Sequence, residues 1–208
     1  MQMSLNRKSF QQVLTVVFAV LVLAVGIQAQ SANHHAQVKI KNFGQVDDRF
    51  FRGAQPKTEE DYRALAAMGI NTVIDLTEDP KEYEKPMVEA AGMKYVHIPM
   101  VAKKYPTDAA TKAFLDTVQN PDTGKFYLHC AGGRHRTGAM GAVYRYKFYD
   151  WNFEQVYKEM KQFDFYTSWG HGAFKDFVKD YYEQVQAAKT PVPSADADKS
   201  AAKSDDEK

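Results

Sequence analysis

The stretch Phe126-Tyr127-Leu128-His129-Cys130-Ala131-Gly132-Gly133-Arg134-His135-Arg136-Thr137-Gly138 decides how this chain folds. A short apolar run leads into it. A helical pattern leads out, with Met140, Val143, Tyr144 and Phe148 spaced for one face. The reading is strand, tight loop, helix N-terminus. Such a loop aims successive backbone N–H groups and a helix dipole at one point, which makes a cradle for an anion. Cys130 is the only cysteine in the chain, and Arg136 follows it after five residues. A thiol at the base of an anion cradle and an arginine at its rim make a nucleophilic phosphate site.

Each residue type has a chemical reason. A free thiol has a pKa near ~8.5, and a helix N-terminus with nearby cations brings reactive thiols down to roughly 3.5–7.5. The cradle therefore binds phosphate and activates Cys130 by the same field. Ala131, Gly132 and Gly133 supply amides close to the oxyanion, with Arg134 and His135 beside them. Arg136 offers a planar fork to two phosphoryl oxygens, which lysine cannot copy. The Thr137 hydroxyl is placed to stabilise the thiolate and to help it depart later. His129 is expected to hydrogen-bond the loop backbone and not to act as the base. Neither a metal nor a cofactor is called for.

The segment resembles the signature loop of the cysteine-dependent protein tyrosine phosphatase superfamily, His-Cys-x-x-Gly-x-x-Arg-[Ser/Thr]-Gly. Every fixed position matches: His129, Cys130, Gly133, Arg136, Thr137 and Gly138. The ending is most similar to the atypical dual-specificity phosphatases of plants, fungi and bacteria. Phe51-Arg52-Gly53-Ala54-Gln55-Pro56 and Gly69-Ile70-Asn71-Thr72-Val73-Ile74-Asp75-Leu76 resemble that group's opening strand–helix–strand. Rhodaneses use a related cysteine loop, typically one residue shorter, so the spacing here favours phosphate over sulfur transfer.

The resemblance implies a phosphatase with a phosphocysteine intermediate. It also implies an aspartate on a loop about thirty residues before the cysteine, as proton donor to the leaving group. That region, His97-Ile98-Pro99-Met100-Val101, holds no acid. Asp108 is the first candidate, although an acid in the first turn of a helix also has a structural role. Asp75, Glu78 and Asp79 follow, with Asp164 more distant. Lys103 and Lys104, with Arg134 and His135, are candidates for holding further phosphates. The resembled group includes enzymes of inositol pyrophosphates and of phosphotyrosine, so the expected substrate is a phosphoprotein or an inositol phosphate. A phosphate-binding module without an efficient acid is the alternative.

The rest of the chain sets the frame. Its 208 residues allow one domain, and a net charge of +1 gives no strong field for nucleic acid or a membrane surface. Residues 1–29 read as a secretory signal peptide. Arg7 and Lys8 precede the apolar run Val13–Ile27, with Ala29 or Ala32 as cleavage site. The expected location is periplasmic or secreted, with an uncleaved membrane anchor as the other reading. No cysteine stands at the boundary, which excludes bacterial lipoprotein processing. Residues 36–188 form the phosphatase domain, expected to be monomeric, and the polar stretch 189–208 a disordered tail.

Within the domain, strands are expected at Phe50–Arg52, Thr72–Leu76, Lys94–Ile98 and Lys125–His129. Helices are expected to begin at Thr58, near Lys85, at Thr107 and at Asn152, with a last one carrying Phe174, Phe177, Val178, Tyr181 and Val185. Strands alternating with helices predict an α/β fold: a mainly parallel central sheet flanked by helices, of the dual-specificity phosphatase type. Ligands in such sheets bind at the carboxyl ends of strands.

Overall fold

The computed structural model describes residues 38–189. The leader and nearly all of the tail lie outside the described residues. Five strands, β1 (Gly44–Gln45), β2 (Phe50–Ala54), β3 (Thr72–Asp75), β4 (Lys94–His97) and β5 (Phe126–Cys130), form one sheet in the order β1-β2-β5-β3-β4. β2, β5, β3 and β4 run parallel, and only β1 is antiparallel, on β2. The mainly parallel sheet expected from the alternating pattern is therefore present, with β5 at its centre.

Six helices cover it: α1 (Glu59–Ala67), α2 (Glu84–Ala90), α3 (Asp108–Gln119), α4 (His135–Phe148), α5 (Phe153–Gln162) and α6 (Gly172–Lys189). Their starts follow from capping chemistry. The Thr58 hydroxyl accepts from the Asp61 amide while the Asp61 carboxylate accepts from the Thr58 amide. Asn152 and Gln155 repeat that reciprocal arrangement. The Thr107 hydroxyl accepts from the Ala110 amide. These caps satisfy backbone donors that a helix leaves open at its first turn.

Two apolar layers lie on opposite faces of the sheet. Phe50, Ile74, Phe126 and Leu128 pack with α3, α4, α5 and α6, around Phe114, Met140, Val156 and Phe174. Phe51, Val73 and Tyr127 pack with α1 and α2, around Tyr62, Leu65 and Val88. The alternation is the two-residue period of a strand covered on both sides. α4 is enclosed nearly all round and buries most of its residues from His135 to Tyr146. The aromatic stripe of α6 enters the same layer through Phe174, Phe177 and Val178.

Two elements were not expected. β1 is two residues long and contains a glycine, so no alternation marks it. A short 3-10 turn, Pro121–Thr123, closes α3 because the Asn120 side chain accepts from the Asp122 amide. Among the described residues, no helix is long and apolar enough to cross a membrane.

Candidate active site

Cys130 is the last residue of β5, and α4 begins at His135. The connecting loop is shaped from outside. The buried Arg52 of β2 donates from Nη2 to the Gly133 carbonyl at 2.9 Å, and Asn42 donates from Nδ2 to the same oxygen at 3.0 Å. Asn42 also donates to the Phe163 carbonyl at 2.9 Å, and the Arg52 guanidinium lies 4.0 Å over the Phe163 ring. Gly133 sits at φ +66°, and a Cβ there would overlap the Gly53 carbonyl and the Ala54 amide. Only glycine allows both the left-handed backbone and that approach. Burial pushes the Arg52 pKa down to about 10, against the charges of Glu159 and Cys130, so it stays a cation at neutral pH.

The thiol lies at the bottom of a cleft of about 210 Å³. Burial raises its pKa, but the Arg136 charge, the Thr137 hydroxyl and the Thr137 and Gly132 amides outweigh burial, so the net shift is downward. The activation expected from the motif is therefore supported by its surroundings. Thr137 is fully buried, and its Oγ1 has no other hydrogen-bond partner. Arg136 donates from Nη1 to the Met100 carbonyl at 3.1 Å and the Leu76 carbonyl at 3.3 Å. Those two carbonyls follow β4 and β3, so one side chain links three strand ends. Nη1 anchors the fork, and Arg136 also lines the cleft.

The cleft wall holds Cys130, Ala131, Gly132, Arg134, His135 and Arg136 from the signature segment, as the motif predicts. Gly133 shapes the loop from behind. Lys103 also lines the cleft, whereas Lys104 is exposed and does not. Arg134 is half-buried, with its guanidinium 5.9 Å from the centre of the Tyr166 ring. A wider groove of about 310 Å³ between α1 and α2 carries no nucleophile.

The expectation for His129 is corrected. Its ring points to the α1–α2 face of the sheet, away from the thiol, and it does not hydrogen-bond the loop. Nε2 is 3.0 Å from Glu84 Oε1, and Nδ1 is 3.8 Å from Asp75 Oδ1, with all three side chains fully buried. Neither nitrogen has hydrogen-bond geometry, so these are charge contacts. Burial alone would lower the His129 pKa, but the Glu84 and Asp75 charges outweigh it and raise it. Asp75 accepts from the Thr77 amide and hydroxyl and from Tyr95, and Glu84 accepts from Tyr62 and Gln55. The carboxylates approach opposite nitrogens of one ring. With a carboxylate at each ring nitrogen, the cluster suits a buried imidazolium.

None of the carboxylates considered as proton donor lines the cleft. Asp108 is the exposed first residue of α3, as its cap predicts, and does not reach the wall. Asp75 is consumed by the cluster beneath the sheet. Glu78 and Asp79 are exposed, and the Asp164 carboxylate lies 3.9 Å from Arg134 Nε outside the wall. Sequence reasoning did not place Arg52 or Asn42 at the site. His171 belongs to the glycine-flanked aromatic stretch Tyr166–Gly172, whose composition suits either a cover for the pocket or packing, and the structure puts Tyr166 and His171 of it on the cleft wall.

The sequence model of a family described as a DSP-PTPase phosphatase fused to NAD+ kinase matches residues 28–178. Inositol diphosphatase SIW14 of Saccharomyces cerevisiae is 26% identical over 133 residues, which are 60% of this chain and 46% of that protein. This chain thus spans about half of that relative's length. The core catalytic domain of the PP-IP phosphatase SIW14 from S. cerevisiae, solved with citrate, superposes with a TM-score of 0.58. It is 21% identical and covers 75% of this chain and 97% of that one. P. aeruginosa TpbA superposes with a TM-score of 0.60 at 20% identity, covering 71% of this chain and 90% of that one. These likenesses bear out the dual-specificity phosphatase type of fold.

Proposed function

The chain belongs to the DSP-PTPase family, and on that premise we propose that it is an exported phosphatase of polyphosphorylated substrates working through a phosphocysteine. The observation that carries this reading is the wall of the cleft. The activated Cys130 and the anchored Arg136 share it with two further cations, Lys103 and Arg134. One phosphate occupies the signature loop and needs only Arg136 and the amides. The other two cations give neighbouring phosphates somewhere to go, as on a densely phosphorylated inositol. The name of the yeast relative, an inositol diphosphatase, supports the same substrate class.

The steps follow from the geometry. The Cys130 thiolate attacks phosphorus, forming an S–P bond as the P–O bond to the leaving group breaks. Arg136 and the loop amides stabilise the three equatorial oxygens throughout. Water then attacks phosphocysteine, and the thiolate leaves, assisted by the Thr137 hydroxyl. The protein supplies positioning and fixed charge.

A panel of inositol diphosphate, phosphoinositide, phosphotyrosine peptide and phosphoserine peptide tests the substrate. The expected result is a kcat/KM at least about tenfold higher for the inositol diphosphate, the worth of ~1.4 kcal/mol of extra transition-state binding. A phosphotyrosine peptide cleaved equally well would overturn the polyphosphate assignment. Binding without turnover across the panel would instead favour a phosphate-binding module. Export is tested by N-terminal sequencing of protein recovered outside the cytoplasm. The mature chain is expected to begin just after Ala29 or Ala32, and an intact Met1 in the membrane fraction would support an anchor.

A further inference from the structure

The phosphate leaving group of an inositol diphosphate departs as an anion with little need of a proton, but the alkoxide expelled when a phosphate monoester of the same ring is cleaved needs one, and no carboxylate lines the cleft to give it. Imidazole is the side chain whose proton exchange falls nearest neutrality. Two imidazoles line the wall, His135 and His171, stacked face to face with ring centres 3.7 Å apart and planes within 5°. They are not equivalent. Nε2 of His135 is held 3.0 Å from the Tyr166 carbonyl, so that ring is pinned and its proton committed. Nδ1 of His171 has no hydrogen-bond partner. His171 stands at the entry to α6, on the side of the cleft formed by the segment after α5. Resting on the phosphocysteine reading above, we propose that His171 is the proton donor to the leaving oxygen, loaded by the arrival of the substrate itself.

The loading follows from what surrounds the ring. Arg134, Arg136 and His135 face it from the signature loop and α4, and Lys103 from the loop after β4. Tyr166 contacts it edge-on from its own segment at 5.1 Å, Phe174 from α6 at 6.5 Å, and Cys130 shares the wall. Burial and the charges of Lys103, Arg134 and Arg136 hold the His171 pKa below its ordinary value. His135 is pushed further, to about 4, by burial and by His171 itself. A phosphate dianion adds negative charge among these cations and reverses the sign of the field. His171 then takes a proton from solvent and faces the leaving oxygen as imidazolium. As the P–O bond breaks, that oxygen takes the proton, and His171 returns to neutral imidazole. It is then ready to accept a proton from the water that cleaves the S–P bond.

The test compares substrates that differ only in their need for a proton. In His171→Asn and His171→Gln, kcat for an alkyl phosphate should fall by about 10²-fold or more, while that for 4-nitrophenyl phosphate stays within about threefold. The basic limb of the alkyl phosphate pH profile should also disappear. Equal losses on both substrates, or none, would overturn the assignment. Proton uptake gives a second readout that needs no turnover. In Cys130→Ser, which removes the thiolate's own titration, calorimetry in two buffers near pH 6.5 should show uptake on binding inorganic sulfate. That uptake should vanish when His171→Asn is added, and its absence in the single variant would overturn the loading. Uptake in a protein that cleaves no phosphate would leave His171 loaded but sink the phosphatase reading.

Discussion

Replacing Cys130 by serine is expected to lower kcat by at least about 10⁴-fold while leaving anion binding intact. The two effects separate because the site has two parts. The cradle is built from the amides of residues 131–136 and from Arg136, and serine disturbs none of these. The nucleophile is a thiolate held below its ordinary pKa by Arg136, Thr137 and two amides. A hydroxyl in the same place has no comparable anionic form near neutral pH. The buried thiolate also repels an incoming phosphate dianion, so the serine variant should bind substrate as tightly as the parent or more tightly. Calorimetric titration of the variant with substrate, beside a phosphate-release assay, measures both. Residual activity within tenfold of the parent would rule out attack by sulfur.

Arg136→Lys should cost about 10²–10⁴-fold in kcat/KM, the range expected when a donor pair aimed at developing charge is lost. The charge is kept, so the fall would report geometry. Arginine anchors through Nη1 on the Leu76 and Met100 carbonyls and also lines the cleft. A single ammonium cannot serve both ends. Because the positive charge persists, the pH midpoint for alkylation of Cys130 by iodoacetamide should move much less than kcat/KM. A near-normal kcat/KM would mean that Arg136 only links the ends of β3, β4 and β5. A large upward move of the midpoint would mean that its main part is in forming the thiolate.

The signature segment was legible because its residues are neighbours in sequence and their geometry is local. The helix starts at Thr58, Thr107 and Asn152 were legible for the same reason, since a cap acts over three residues. What was hidden depends on the sheet order. Gln55, Tyr62, Asp75, Glu84, Tyr95 and His129 come from six places along the chain: the register of β3, β4 and β5 brings Asp75, Tyr95 and His129 together, and the packing of α1 and α2 on that face brings Tyr62 and Glu84. The place of His129 just before the thiol suggests the loop, whereas a strand turns successive residues to opposite faces. Asp108 was legible as a first-turn acid, but nothing local shows that α3 starts away from the cleft. The glycine-flanked composition marks the stretch that holds His171 as a cover for the pocket or as packing, and the choice between them depends on the path of the chain after α5, which no short-range pattern encodes.

The placement of alternate β5 residues in two separate layers bears on how this gene can vary in length. Phe126, Leu128 and Cys130 belong to one side, Tyr127 and His129 to the other. Loss or gain of a single codon within 126–130 would exchange the sides for every later residue of the strand. It would send the sulfur toward Glu84 and a histidine toward the phosphate. A codon added in the exposed turn around Lys81 or Glu82 meets no such parity. Length changes that keep the site intact are therefore expected in connections such as that turn, whereas the strand that aims the nucleophile tolerates change only by substitution.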